Sequence, residues 1–241
     1  MGDLHGELGV IGATVAGGYA QRCLAPASHV YPVPDTMAIE HAATFPTCFL
    51  TAGHALFDVG RLQPGETVLI HAAGSGVSVA AIQLALDAGA TVLATAGSAE
   101  KLERARQLGV SHVLNNRTGD ITAWAREVTD GRGVDLVLDH VGTALFGPSV
   151  LALALGGRLV SCGNTSGDEA VIPSLGFLFH SGARILGSDA YRPEEFGPLW
   201  ERFCTGSFAD TVDEQYGLAD AGLAQQRLEA GAVFGKIVLR P

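Results

Sequence analysis

From Thr67 onward the chain alternates short apolar runs with longer stretches of mixed polarity. "TVLIHA" (67–72), "TVLATA" (91–96), "HVLN" (112–115), "VDLVLDHVG" (134–142), "RLVSCG" (158–163) and "ARILGSDAY" (183–191) are β-branched and apolar, as strands buried on both faces are. Between them lie helical stretches: 76–89, apolar on nearly every face, then 98–109, 120–131, 144–157 and 174–182, with 193–206 after the last strand. Alternation of this kind predicts an α/β fold: a Rossmann-type, doubly wound parallel sheet with right-handed crossovers. A ligand then sits at the carboxyl ends of the strands, near the switch in strand order.

Before Thr67 the pattern is different. Gly17-Gly18, Pro32 and Pro34 interrupt residues 8–36, which read as short strands and loops. A helix is expected from Ala38 through Ala43, and a second from Pro46 to about Val59, because a first-turn proline loses no hydrogen bond.

The first strand–helix junction reads "HAAGSGVSVAAIQLALDAGA" (71–90). Small residues there let the backbone approach a ligand, and the helix N-terminus presents free N–H groups to a phosphate. Gly74 and Gly76 satisfy the start of a dinucleotide-binding turn, but Val79 holds the third glycine's place, and Ser78 before it is small enough for close strand–helix packing. A tight turn without a ligand is the competing reading. NAD sites carry an acid at the tip of the second strand; here the tip is Ala96, Gly97, Ser98. Ser98, Lys101 and Arg117 suit the extra 2′-phosphate of NADP, while Ser98 equally fits a helix N-cap and the two cations equally fit solvated surface.

The net charge of −10 argues against nucleic acid or an anionic membrane as partner, and no apolar run approaches the roughly 20 residues of a membrane span. The four cysteines, Cys23, Cys48, Cys162 and Cys204, form no close pair, so neither metal-ligand spacing nor a disulfide framework is indicated. With no basic flank at the start, the expected location is cytoplasmic.

Seven segments in order, among them "FPTCFLTAGHAL", "PGETVLIHAAGSGVSVAAIQLA", "GRGVDLVLDHVG", "GGRLVSCGNTSG" and the terminal "FGKIVLRP", resemble the medium-chain dehydrogenase/reductase superfamily. The resemblance points to its quinone oxidoreductase-like and zinc-binding alcohol dehydrogenase-like members. It implies a truncated chaperonin-10-like β domain (1–46), a Rossmann domain (47–208, core 67–206), and a C-terminal segment (209–241) that returns to the first domain. It also implies NADP(H) as cofactor, with hydride passing to a small-molecule acceptor: a quinone, an enone or another carbonyl. On its pattern Ser75, Gly76 and Val77 approach the pyrophosphate; Val141, Gly142 and Gly163 lie near the nicotinamide; Phe234, Gly235 and Lys236 close over the cofactor; and Thr51 faces the nicotinamide from its helix. No catalytic residue is assigned. The family's front region, which supplies two zinc ligands and a cysteine-rich zinc loop, has no counterpart here, and the third ligand falls near Thr47 or Cys48. His41 and His54 have no evident partners in sequence, so no zinc is expected. A homodimer through an edge strand near Arg184–Asp189 is expected. The rival to an active oxidoreductase is a silent nucleotide-binding remnant, or one part of an assembly whose missing wall a partner chain provides.

Overall fold

The computed structural model describes Gly12, residues 17–189 and residues 191–241. Two helices come first, α1 (Ile39–Ala43) and α2 (Phe45–Gly53), and α2 runs without a break into a π-helical turn, His54–Val59. The alternating region follows: β1 (Thr67–Ile70), α3 (Gly76–Asp87), β2 (Thr91–Ala96), α4 (Ala99–Gln107), β3 (His112–Asn115), α5 (Ile121–Val128) and β4 (Val134–Asp139). It continues through α6 (Phe146–Ala152), β5 (Leu153–Ser161), α7 (Leu175–Ser181), β6 (Arg184–Gly187) and α8 (Pro193–Thr205). The C-terminal segment holds β7 (Val212–Gly217), α9 (Ala221–Glu229) and β8 (Lys236–Arg240).

β1 to β6 form one parallel sheet in the order β3-β2-β1-β4-β5-β6, the doubly wound order. The two-residue period of the strands sends neighbours to opposite faces. Val68, Ile70, Val92, Ala94, Leu136, Leu138 and Val160 pack with α2 and α3 on one face, while Leu69, Leu93, Val137 and Leu159 pack with α5 and α6 on the other. Eight consecutive residues of α3, Ser78 to Ala85, are buried, which is why its sequence lacks a polar face.

An aromatic cluster fixes α2 to α8. Phe203 packs at an angle to Phe45 and edge-on to Phe49, with ring centroids 5.0 and 4.7 Å apart. Arg158 ties the end of the π-helical turn to the sheet, donating to Gly60 O (2.5 Å) and pairing with both carboxylate oxygens of Glu66 (2.8 and 2.5 Å).

Three expectations need correction. The expected helix over 144–157 stops at Ala152, and residues 153–157 already belong to β5. Leu153 already has extended backbone (φ −64°, ψ 145°), and within the strand Gly156 takes a left-handed φ of 71° where the β4–β5 register shifts. The strand expected over 134–142 ends at Asp139, because its carboxylate accepts the backbone N–H groups of Val141 and Gly142 and curls the chain. The strands expected within 8–36 do not occur over 17–36, which contains only a 3-10 turn, Ala27–His29. Pro26, Pro32 and Pro34 offer no N–H to a ladder. The rest of that expectation, over 8–16, lies outside the described residues apart from Gly12.

Because Phe203 is 2% exposed and contacts two other buried rings, Phe203→Ala is expected to lower unfolding stability by roughly 3–5 kcal/mol. Urea denaturation checks this; a loss below about 1 kcal/mol means that α8 is not held through this cluster.

Candidate nucleotide site at the first strand–helix turn

The turn between β1 and α3 is built by residues that bring three pieces of backbone together. Ala72 adopts a left-handed φ of 48°, and Ser75 N donates to its carbonyl at 2.8 Å. Ala73 N donates to Thr95 O (2.8 Å), which anchors the turn to the end of β2. The C-terminal segment then lies against it: Gly235 N donates to Gly74 O at 2.8 Å, and Ser75 and Gly235 form a parallel bridge. A Cβ at Gly76 would stand 2.7 Å from Lys236 Cδ and 2.8 Å from Cys48 Sγ of α2. A Cβ at Gly74 would stand 2.8 Å from Lys101 Cδ. At Gly76 the added atom would press on the buried Cys48 sulfur, and at Gly74 on the movable end of Lys101.

The start of α3 lacks the side-chain cap that three other helices carry. Ser98, Asp120 and Ser174 each accept a backbone N–H and cap α4, α5 and α7. Ser75 occupies the same place on α3, yet its side chain makes no capping bond. The first-turn N–H groups at Gly76, Val77 and Ser78 thus keep their donor capacity, which is what an anion site at a helix N-terminus needs.

At the tip of β2, a Cβ on Gly97 would lie 2.7 Å from Arg117 Nε, so the guanidinium covers the strand end where an acid is missing. Lys101 reaches over Gly74 and donates to Gly231 O at 2.7 Å. Ser98 caps α4 through a 3.3 Å bond from Lys101 N, so the helix-cap reading of this residue is realised. Nearby Arg104 and Arg227 are neutralised by Asp213, whereas among the described residues Lys101, Arg117 and Lys236 form no ion pair. Arg104 also lies over the buried Phe234 ring, 4.4 Å from its centroid.

Beneath the turn is a polar network that the strand pattern concealed. Ser78 Oγ donates to His71 O at 2.6 Å and so accepts from His140 Nε2 at 2.7 Å. Ser149 Oγ donates to Leu145 O at 2.6 Å and so accepts from His71 Nε2 at 2.7 Å. His71 Nδ1 is then left to accept from Thr95 Oγ1 at 2.9 Å. These donors assign both imidazoles as neutral Nε2–H tautomers. Burial first, and the neighbouring His140 second, hold His71 down at about 3. Burial also lowers His140, against the opposing charge of Asp139. Asp139 is raised by burial; one oxygen accepts Val141 N (2.8 Å) and Gly142 N (3.1 Å), and Oδ2 is buried without a partner.

The same network shapes the floor beside the ends of β4 and β5. Gly142 takes φ 81°, and a Cβ there would meet Gly167 O at 2.6 Å; a Cβ on Gly163 would meet His140 Cβ at 3.1 Å. The structure therefore gathers Ser75, Gly76, Lys101, Phe234, Gly235 and Lys236 at the turn, with Val77 next along α3, and Arg117 with Ser98 at the β2 tip. Val141, Gly142 and Gly163 group at the β4–β5 end. Thr51 lies on α2, one turn beyond Cys48, and is half-buried. Sequence reasoning did not single out His71, Asp139, His140 or Ser149. Their signal was a polar side chain inside an otherwise apolar run.

The family's catalytic zinc finds no matching donor set among the described residues. Cys48 is buried against Gly76 and Lys236, its thiol raised by that burial, and no histidine or carboxylate joins it in a metal-ligating group. His54 behaves otherwise. The expectation that it lacks partners is corrected by Asp58 and Glu195, the second of which is 141 residues away and invisible to spacing.

A six-stranded doubly wound sheet with a glycine turn and an uncapped first helix defines a dinucleotide-binding α/β protein. Residues 76–205 match the family model described as zinc-binding dehydrogenase, and the chain belongs to that family, within the medium-chain dehydrogenase/reductase superfamily. It is 46% identical over 134 residues to a phenolphthiocerol/phthiocerol polyketide synthase of Mycobacterium tuberculosis, a match covering 56% of this chain. The chain spans between 6% and 10% of the length of the curated polyketide synthases it matches. The crystal structure of an NAD-dependent alcohol dehydrogenase superposes with a TM-score of 0.91 at 37% identity, over 97% of this chain and 68% of that one. A mycobacterial protein complexed with NADPH superposes with a TM-score of 0.82 at 32% identity, over 93% and 72% of the two chains.

The lowered His71 sets a pH dependence. Below its ordinary 6.5 the unfolded chain takes up a proton that the folded chain refuses until about 3, so stability falls as pH falls through this window. The slope from this one group is about 1.4 kcal/mol per pH unit. His71→Gln is expected to flatten the stability–pH profile between those limits relative to the parent chain. Parallel profiles from urea midpoints across the window would show that His71 is not held neutral.

Proposed function

We propose that this chain is an NADP(H)-dependent oxidoreductase that delivers hydride to a quinone, an enone or another carbonyl acceptor. The observation that carries the cofactor choice is the β2 tip: Gly97 stands where an acid would bind a ribose hydroxyl, and Arg117 packs directly over it. In this reading Lys101 and Arg117, with Ser98, hold the 2′-phosphate. The N–H groups at Ser75, Gly76 and Val77 receive the pyrophosphate, and Lys236 adds a cation beside them. Val141, Gly142 and Gly163 keep the floor thin enough for the nicotinamide, towards which Thr51 is directed. Phe234 and Gly235 hold the covering segment down and keep water out. When bound, the nicotinamide supplies the hydride; the chain supplies position and electrostatics.

The choice of a conjugated acceptor draws on relatives. The chain is similar to polyketide synthases and to a Pseudomonas syringae quinone oxidoreductase, which superposes with a TM-score of 0.81 at 29% identity. In our reading the chain also pairs with a second copy through β6, which has a sheet neighbour on one side only among the described strands. A second reading, a nucleotide-binding component whose cleft wall comes from another chain, draws on the exposed apolar Leu24, Val30 and Ile39, which are 96%, 66% and 62% exposed.

Calorimetry with both coenzymes tests the cofactor. NADPH is expected to bind more tightly than NADH, and the double variant Lys101→Ala/Arg117→Ala to lose at least tenfold in NADPH affinity while leaving NADH nearly unchanged. Tighter binding of NADH by the parent chain overturns the reading. Loss of reduced-cofactor absorbance with a simple quinone or an enone tests turnover, and binding without oxidation favours the second reading.

A further inference from the structure

Away from the nucleotide site, on the far end of α2, lies a cluster that the proposed reaction does not use. The π-helical turn His54–Val59 places His54 and Asp58 side by side, and Glu195 from the first turn of α8 faces them. One ligand atom from each of the three lies within 4.8 Å of the others. His54 Nδ1 is 3.0 Å from Glu195 Oε2, and the two side chains are only 13% and 16% exposed. Two donors bound to one zinc ion at roughly 2.1 Å stand about 3.4 Å apart in tetrahedral geometry, so small side-chain shifts suffice. His54 and Asp58 stand four residues apart on one face, within a π-helical turn of a kind that concentrates at functional sites. A cavity of about 470 Å³, lined by Leu50, Phe57, Pro198 and Leu199, opens beside the cluster and leaves room for water or a further ligand.

We propose that His54, Asp58 and Glu195 form a binding site for a divalent first-row transition ion, with zinc as the ion best suited to one imidazole and two carboxylates. Magnesium and calcium demand six or more oxygen donors and fit this set poorly. The ion would join α2 to α8 and leave an open coordination position towards the cavity. It is not the family's catalytic zinc, whose remaining ligand position falls near Cys48 at the other end of α2.

Arg192 is the group that competes with such an ion. Its Nε lies 2.9 Å from Glu195 Oε1, and its terminal nitrogen lies 3.6 Å from Asp58 Oδ1. The side chain is 65% exposed, so it can swing into solvent when a doubly charged ion takes the carboxylates. This competition separates a metal site from a plain ion-pair cluster. Removing Arg192 exposes ligands in the first case and only breaks contacts in the second.

Titration of the tag-free chain with zinc chloride, followed by calorimetry, is expected to give one ion per chain. His54→Ala and Glu195→Gln should each raise Kd at least tenfold, and Arg192→Ala should lower it. Cobalt(II) should give visible absorption bands that Glu195→Gln diminishes, and magnesium chloride should give no binding at the same concentrations. Far-ultraviolet circular dichroism confirms folding of each variant; if His54→Ala fails to fold, Glu195→Gln and Arg192→Ala carry the test. The proposal is overturned if neither the parent chain nor Arg192→Ala binds zinc one to one. It is also overturned if binding is unmoved by His54→Ala and Glu195→Gln, or if Arg192→Ala weakens it. Coenzyme titrations are a separate readout, so failure here leaves the nucleotide site untouched.

Discussion

The hydrogen bond from Gly235 N–H to Gly74 O joins the C-terminal segment to the first strand–helix turn, and the candidate site depends on that closure. Three stretches of chain meet there: the turn itself, α2 through Cys48, and the strand that begins at Lys236. A Cβ at Gly76 would crowd the buried Cys48 sulfur. Gly235 also holds φ 99°, and a Cβ on it would collide with Thr211 O. The same residues that close the fold create the strip of backbone donors at the start of α3. Packing and recognition are here one constraint.

The turn is held from below by hydroxyls and neutral imidazoles rather than by bulk. Ser78 stands one residue before Val79, which takes the place of the motif's third glycine. The serine is small enough to let α3 settle on β1, and its hydroxyl meets both the His71 carbonyl and His140. Each such bond contributes about 1 kcal/mol net, but an orphaned buried partner costs about 1–3 kcal/mol, so the network fixes geometry more than it adds stability. Its members also connect β1, β2, β4, α3 and α6 under one patch of surface. A shift in any of these elements disturbs the floor formed by Gly142 and Gly163.

Much of the fold was legible because its signals are local. The six strands and most helices follow from runs such as "TVLATA" and caps such as Ser98, whose physics acts within a few residues. The glycine turn was legible for the same reason. Where reading failed, the deciding interaction was distant or competitive. Residues 153–157 look helical by composition, yet pairing with β4 draws them into the sheet. Residues 17–36 are rich in strand-formers, and among the described residues no strand lies beside them to pair with. His71 and Asp139 are hidden within apolar strands, and only the fold reveals that their partners are Ser149 and the Val141–Gly142 backbone. His54 shows the limit most plainly, since Glu195 reaches it from 141 residues away.

Charge distribution gives the candidate site its direction. A chain with a net charge of −10 has carboxylates to spare, and most cations find one. Arg104, Arg158, Arg202 and Arg227 are each paired, the last against Asp213 at the edge of the site itself. Lys101, Arg117 and Lys236 are not, although each lies against a glycine of the turn or of the β2 tip. Leaving three cations unneutralised beside an uncapped helix start forgoes stabilisation that nearby acids could have given. An anionic ligand restores the balance: it meets the free N–H groups, the helix dipole and the side-chain charges together. The three cations thus stand in the groove where the backbone also donates.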